Sequence, residues 1–457
     1  MRAYRISKVS VSMNRMVRPL RFVVLVAVVI VLVLGATQAA AEAGEESGGG
    51  YRDEQIPGLN KSASKIFFSK EPWSVSGWGE LNGVWPVQGE RDRSSGDIEL
   101  YYETLTRLTG YLGLRPAENI ALTLEAQIEH LTAKTGDPKT EFIPEFYFDF
   151  LGNEHFNSRF GLSPMHIGYI NNNDEPVLFY SVNRPESERL IIPSEWIELG
   201  LHFYGGLTKD LHYSLAFTNG VEAKDFRDAT WIRGGKEGRL DLHGKEQICV
   251  NPQIEYTGFR DLTLSLSGYH GRSGQGEKVV VDSVQQEVKA PVTMVSGYGR
   301  WDRGKLRLIV MGAYGWLGET DLVYVLTGEK AGDPQVLGSQ AYGAYIEAGY
   351  EVFRRAKSPA HSGEEARGHG GIFGPTVKSL SFFGRVEKLD THGEVIAELE
   401  SKSYVRNNLT ILLVGLNYKH WQHLVLKLDY QFRHNQAAPE GTDSDSGLIE
   451  LGLGFAL

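Results

Sequence analysis

Residues 424–433 read "LVLKLDYQFR". Leu424, Leu426, Leu428, Tyr430 and Phe432 share one side of an alternation; Val425, Lys427, Asp429, Gln431 and Arg433 share the other. A period of two is the signature of a β-strand, whose successive side chains point to opposite faces. In a soluble sandwich the apolar face meets a second sheet. In a membrane barrel it meets lipid, and the polar face looks into the lumen. The remainder of the chain decides between them.

The 457 residues suffice for one large barrel or several ordinary domains. Glycine (53), tyrosine (21), phenylalanine (20) and tryptophan (8) are abundant although only 41% of residues are apolar, which suits a β-protein with many turns. Cys249 stands alone, so the chain forms no internal disulfide, and it reads as a packed residue without a role. Residues 1–41 read as a cleaved export signal. Arg2, Arg5, Lys8, Arg15, Arg18 and Arg21 precede the apolar run "FVVLVAVVIVLVL" (22–34), and small residues at Ala39 and Ala41 offer a cleavage site. Beyond residue 41 no uncharged apolar run approaches the length of a spanning helix, so a membrane form must be a barrel. Removing six positive charges from a formal −10 leaves about −16, which argues against a nucleic-acid partner.

Residues 42–73 begin "EAGEESGGGYRDEQ" and read as a flexible leader. From 74 to 457 the alternation recurs in sixteen segments: 74–85, 97–113, 119–131, 142–151, 157–166, 195–205, 210–219, 245–257, 262–271, 292–302, 305–317, 340–353, 378–389, 407–418, 423–434 and 447–457. No stretch between them reads as an amphipathic helix. Connections such as "RPAEN", "GNEHF", "GFRD" and "KHWQ" are short, while 167–194, 220–244, 272–291 and 318–339 are long, and the two kinds alternate. Short turns at one end and long loops at the other mark an outer-membrane barrel, whereas a Greek-key sandwich gives no reason for them. The long connection 354–377 breaks the pattern. Trp196, Tyr204, Trp301, Trp316, Tyr418 and Trp421 lie at segment ends, where aromatic girdles are expected. The expectation is an all-β transmembrane antiparallel barrel of about sixteen strands, with Leu424–Phe432 on lipid.

Within 167–194, Val177, Leu178, Phe179, Tyr180, Leu190, Ile191 and Ile192 are too apolar for a solvated loop. The loop is therefore expected to fold into the lumen. Its charges, Asp174, Glu175, Arg184, Glu186, Glu188 and Arg189, become candidates for a constriction. Alternation places Glu125, Glu145, Asp149, Arg385, Glu387, Lys427, Asp429 and Arg433 on the lumen wall, so that Asp429→Arg is expected to be tolerated.

Arg184-Pro185 followed by Pro193, Trp196 and Gly200, "YSLAFTNG" (213–220), "FFGRVEKLD" (382–390), "LVGLNYKHWQHLVLKLDYQF" (413–432) and the closing Gly452-x-Gly454-Phe455 form an ordered set. In these the chain resembles the phosphate-selective porin family over most of 74–457. The resemblance implies a sixteen-stranded barrel, usually a homotrimer, with the third loop narrowing the pore. It also allows a long connection before the strand that carries Arg385 and Glu387. The last strand resembles the signal read by the barrel-assembly machinery, with Leu457 where phenylalanine is usual. Phosphate selection needs a dense run of Arg and Lys. Here acids outnumber bases among the lumen candidates, so the expectation is weak cation preference.

Other constellations carry less. His212 and Ser214 share one face of a segment, a spacing open to nucleophilic chemistry but common without it. His361 and His369 fall in a Gly-rich stretch read as solvated. The reading is a passive outer-membrane porin for small ions or polar solutes, with no enzyme activity, metal or cofactor. The alternative is a barrel that does not transport, either adhesin-like or enzymatic.

Overall fold

The alternation of 424–433 persists in space: Leu426, Leu428 and Tyr430 are exposed, while Val425, Lys427, Asp429 and Gln431 are buried. The computed structural model describes residues 55–89, 98–134, 136–236, 247–356, 377–438 and 443–457. Its strands are β1 (Trp73–Gln88), β2 (Thr104–Ala117), β3 (Ile120–Thr132), β4 (Lys139–Leu151), β5 (Asn157–Pro164), β6 (Ile197–Thr208), β7 (Leu211–Thr218), β8 (Cys249–Tyr256) and β9 (Leu262–Arg272). There follow β10 (Lys278–Val281), β11 (Val284–Glu287), β12 (Pro291–Arg303), β13 (Leu306–Leu317), β14 (Gln340–Ala356), β15 (Val377–Glu394), β16 (Asn408–Trp421), β17 (Leu424–Asn435) and β18 (Asp445–Ala456).

All but β10 and β11 close into one antiparallel barrel of sixteen strands. Each strand pairs with its sequence neighbours, β9 pairs with β12 across the β10–β11 hairpin, and β18 returns to β1 from Trp78↔Ala456 to Gln88↔Gly447. Closure leaves no unpaired edge, the condition for a sheet to cross lipid. The expected segments correspond one to one with the barrel strands.

The outer face carries exposed Leu81, Leu108, Leu112, Ile128, Phe146, Leu266, Ile346, Phe382, Leu412 and Leu451, among others. Water would not tolerate so continuous an apolar belt; hydrocarbon does. Trp85, Phe142 and Trp316 fringe the belt near the long loops, and Trp73, Phe150, Phe156 and Phe259 fringe it near the short turns. Two expected girdle residues do not belong to it. Trp196 is wholly buried, its ring 4.7 Å from that of Tyr269, and Tyr204 is buried with its hydroxyl 2.7 Å from Asp149. Trp196 precedes β6 and turns inward, and Tyr204 lies on the inner parity of β6 with His202.

Some connections contain structure that alternation does not signal. The segment 97–113 divides into a helical turn, Ile98–Tyr101, and β2. Connection 272–291 holds the β10–β11 hairpin, and 318–339 holds the helix Thr320–Ala331. Of the leader, 42–54 lie outside the described residues. Lys61–Phe68 form a helix whose first turn is capped by the Asn60 side chain, which accepts from the Ala63 N–H at 2.8 Å. These helices span 12 residues or fewer; Thr320–Ala331 carries little periodic signal, and Lys61–Phe68 is amphipathic but only eight residues long. The connection 357–376, with His361 and His369, lies outside the described residues.

Candidate functional site

Residues 165–196 leave the barrel between β5 and β6 and are almost entirely buried. Their partners are inward-facing side chains of other strands. The Val177 carbonyl accepts from Lys419 Nζ at 3.0 Å, and the Leu178 carbonyl from Arg307 at 3.2 Å. The Tyr180 carbonyl accepts from Asn417 at 3.0 Å and the Ser181 carbonyl from Lys427 at 2.8 Å. The Lys427 ammonium also stands 3.6 Å from the centre of the Phe179 ring. The Val182 N–H donates to Asp429 at 2.7 Å, and Asn183 donates to Glu450 at 2.9 Å. Ser187 gives its N–H and its hydroxyl to Glu387, at 2.5 and 2.6 Å, and Tyr345 donates to Glu188 at 2.7 Å. Residues 177–186 thus climb along β17 and β18 from Val425 to Arg433, and Ser187 meets β15.

The six constriction candidates are all buried, in different roles. Glu188 braces the loop against itself: beyond Tyr345 it accepts the N–H groups of Tyr169 and Ile170, each at 2.7 Å. Glu175 accepts the Ser62 N–H at 2.5 Å, and Asp174 accepts from Asn60 at 3.2 Å. Glu186 receives Arg189 at 3.1 Å and Arg433 at 2.7 Å. Arg184 pairs with Glu195 at 2.9 Å. Among the wall candidates, Arg385 donates to Ser181 at 2.7 Å and Glu347 at 3.2 Å. Glu125 and Glu145 stand opposite each other on β3 and β4. Asp149 is bonded by Arg159 at 2.9 Å.

A further cluster joins Glu99, Arg107 and Glu129, which the alternation assigns to the lumen face, to Glu80, Glu195, Arg233 and Tyr102, which went unread in the sequence. Arg107 is enclosed by three carboxylates: it pairs with Glu80, Glu129 and Glu195, the last at 3.2 Å. Arg233 pairs with Glu99, and Tyr102 donates to Asn183. These groups line a cavity of about 40 Å³, room for a few waters. Glu195 bridges Arg107 and Arg184 from a left-handed backbone position, φ 60°. Burial alone would raise its pKa, but Arg107, Arg184 and Lys236 outweigh burial and hold the carboxyl down at about 2. Asp174 goes the other way: burial dominates the relief from Arg184 and pushes it up to about 7. The inward parity of Glu80 and Glu450 was available in the alternation. Glu195, Arg233 and Tyr102 sit in connections, although the expected segments 97–113 and 195–205 took in Tyr102 and Glu195.

Arg159 lies fully buried, 4.6 Å from the Tyr147 ring and 5.3 Å from that of Tyr204. Nearby, Ser214 is bonded by His166 rather than by its strand neighbour His212, and His202 is bonded to Ser163 at 3.1 Å. Ser214, His166 and His202 are all buried, which leaves this serine no approach for a substrate. Cys249 is buried and accepts from Tyr269 at 3.1 Å.

Towards the long loops the filling continues as an apolar cluster. Ile191 and Ile192 join Val221, Phe226, Trp231, Val279, Val323 and Leu326, from four separate connections.

No family model matches the chain. It is 26% identical over 382 residues, 82% of its length and 78% of the other's, to an uncharacterised protein of Aquifex aeolicus (strain VF5). Among solved structures, the outer membrane channel DcaP of Acinetobacter baumannii covers 84% of this chain with 97% of its own, at 9% identity and TM-score 0.49. The Salmonella typhi OmpF complex with daunomycin covers the same shares at 9% identity and TM-score 0.47. The anion-selective porin from Comamonas acidovorans covers 84% with 99% of its own, at 9% identity and TM-score 0.45.

Proposed function

We propose that the protein is an outer-membrane porin-type channel that passes small ions or polar solutes through a lumen narrowed by residues 165–196. The observation that carries this reading is the opposition of the two faces. A closed barrel presents leucine and phenylalanine outward and a dense set of charged side chains inward. A barrel with a purely structural task has no need of an ionic interior, since well-packed apolar residues serve stability as well or better. On this reading the export signal expected at 1–41 directs the protein to the outer membrane, and the apolar belt supports a membrane setting. The final strand β18 serves as the signal to the assembly machinery, and the working form is a homotrimer. The reading requires no cofactor and no catalysis.

Phosphate selectivity draws no support from the charges. Arg107, Arg184, Arg189 and Arg233 each meet a carboxylate, so these described arginines form no uncompensated cationic ladder. Fixed charges within a Debye length, about 8 Å at physiological salt, govern which ion enters. The excess of acids then gives a weak preference for cations. Reversal potential of the purified protein in a tenfold KCl gradient tests this. Cation preference that strengthens in an Arg184→Ala, Arg189→Ala double variant is expected. Anion preference that the double variant abolishes would overturn it.

A second reading, a barrel that does not transport, rests on the apolar cluster near the long loops and the burial of 165–196. The absence of any discrete current step from correctly folded protein would favour it.

A further inference from the structure

The segment 55–69 precedes the barrel and should have been free to trail from it. It lies instead inside the wall at the end bearing the short turns. Asn60 donates to the hydroxyl of Tyr111, an inward residue of β2, at 2.6 Å. Ser76, inward on β1, donates to the Ser62 carbonyl at 2.7 Å. Leu59 and Ala63 are buried among Trp78, Tyr111, Tyr147, Val177, Val425 and Ala456, so the helix Lys61–Phe68 closes on three parts of the wall and on the internal loop. Ile66 packs where Gly113 leaves room on β2: a Cβ there would stand 2.5 Å from it. At Gly58, φ +82°, a Cβ would fall 2.3 Å from the His166 ring, so the chain passes directly over the start of the loop.

The contacts with the loop are its most informative feature. The Gln55 amide donates to the Asn172 carbonyl at 3.0 Å, Asn60 to Asp174, and the Ser62 N–H to Glu175. These acceptors lie at the deepest reach of the loop, next to Pro176, which approaches Gly454 near the end of β18. The helix therefore stands at one mouth and holds the lowest part of the loop. The link to β1 is short: the side chains of Lys70, Glu71 and Pro72 are exposed, and Arg115 of β2 holds its backbone by donating to the Ser69 and Pro72 carbonyls at 2.6 and 2.7 Å. The bonds of this link are few and near the surface, so the segment can leave its seat as a unit while β1 keeps its pairing with β2.

We propose that residues 55–69 are a plug for the short-turn mouth of the lumen. Seated, the plug holds residues 172–175 and keeps the lumen shut; swung out about residues 70–72, it frees the loop and lets current pass. This inference rests on the channel reading, and its test separates the two.

Two variants test it in planar bilayers, each first checked for folding by resistance of the barrel to detergent at room temperature. Ala63→Asp places a carboxylate in the apolar cluster of Leu59, Trp78 and Val425, where burying its charge is costly, and should unseat the plug. It should raise the frequency of opening several-fold. Ser62→Cys with Ser76→Cys, oxidised, should join the helix to β1 and suppress opening several-fold, with reduction restoring it. Equal opening in the oxidised and reduced states, or no change in Ala63→Asp, would overturn the proposal. The seat itself is read without current. Ser62→Cys should react with a bulky water-soluble maleimide far more slowly than Lys70→Cys, and Ala63→Asp should remove the difference. Labelling of the two at equal rates would show that no plug exists even if the barrel conducts. A protected Ser62→Cys in a barrel that never conducts in any variant would overturn the gating role together with the channel reading.

Discussion

The wall and its filling obey opposite rules. In the wall, each strand repeats one alternation and pairs residue by residue with the next apart from a few bulges, so a residue is placed by its parity. In the filling, 165–196 and 55–69 have no repeat, and each residue is placed by an individual partner. Asp429 belongs to both. Its parity puts it inward, as expected, but its Oδ2 accepts the Val182 N–H at 2.7 Å. The expectation that Asp429→Arg is harmless treated the lumen face as solvated. The filling makes that face an interior, where a reversed charge would meet Lys427 and lose the loop's backbone donor.

The largest effect expected from this contrast is at Arg107. Its guanidinium meets Glu80, Glu129 and Glu195 with 8% of its side chain exposed. Arg107→Ala strands three carboxylates, and breaking a buried ion pair costs about 3–5 kcal/mol. A urea titration of the barrel in lipid vesicles should show a loss of this size. A loss below about 1 kcal/mol, the value of exposed pairs, would mean that water fills the lumen and that the wall alone is the fold.

Next comes the lipid face. Leu426→Arg should cost about 2–4 kcal/mol near the bilayer midplane. The same titration reads it. An unchanged midpoint would remove β17 from the membrane and undo the reading of its two faces.

A smaller effect separates filling from wall. Glu387→Ala leaves the Ser187 N–H and hydroxyl without an acceptor and should cost about 1–3 kcal/mol. The loss should fall on the loop. Protease cleavage between Ser181 and Leu190 should appear while the barrel stays intact in detergent. Cleavage that occurs only when the barrel unfolds would make wall and filling one cooperative unit.

The wall was legible because its information is local and redundant. Sixteen alternations and the lengths of the connections give the strand count and the inside of "LVLKLDYQFR" without any long-range contact. The apolar run Val177–Tyr180 also marks 167–194 as a segment in need of cover. What it could not reveal is which groups cover it. The joining of Ser187 to Glu387 links residues 200 apart, and nothing in either local sequence names the other. The helix Lys61–Phe68 was hidden for the same reason: its buried side chains are mostly serine and alanine, which look like a leader until Trp78 and Val177 surround them. Counting acids likewise gives the sign of the charge but not its use: Glu188 and Glu387 are occupied in holding loop N–H groups.

The central claim is that conduction is set by the filling and not by the wall. Single-channel conductance after deletion of residues 172–188 tests it most directly. The deletion removes the loop's contacts with Asp429, Glu387 and Arg433 and touches no strand. A folded barrel with clearly larger current steps than the full chain is the predicted result. A folded barrel with unchanged conductance would contradict the claim.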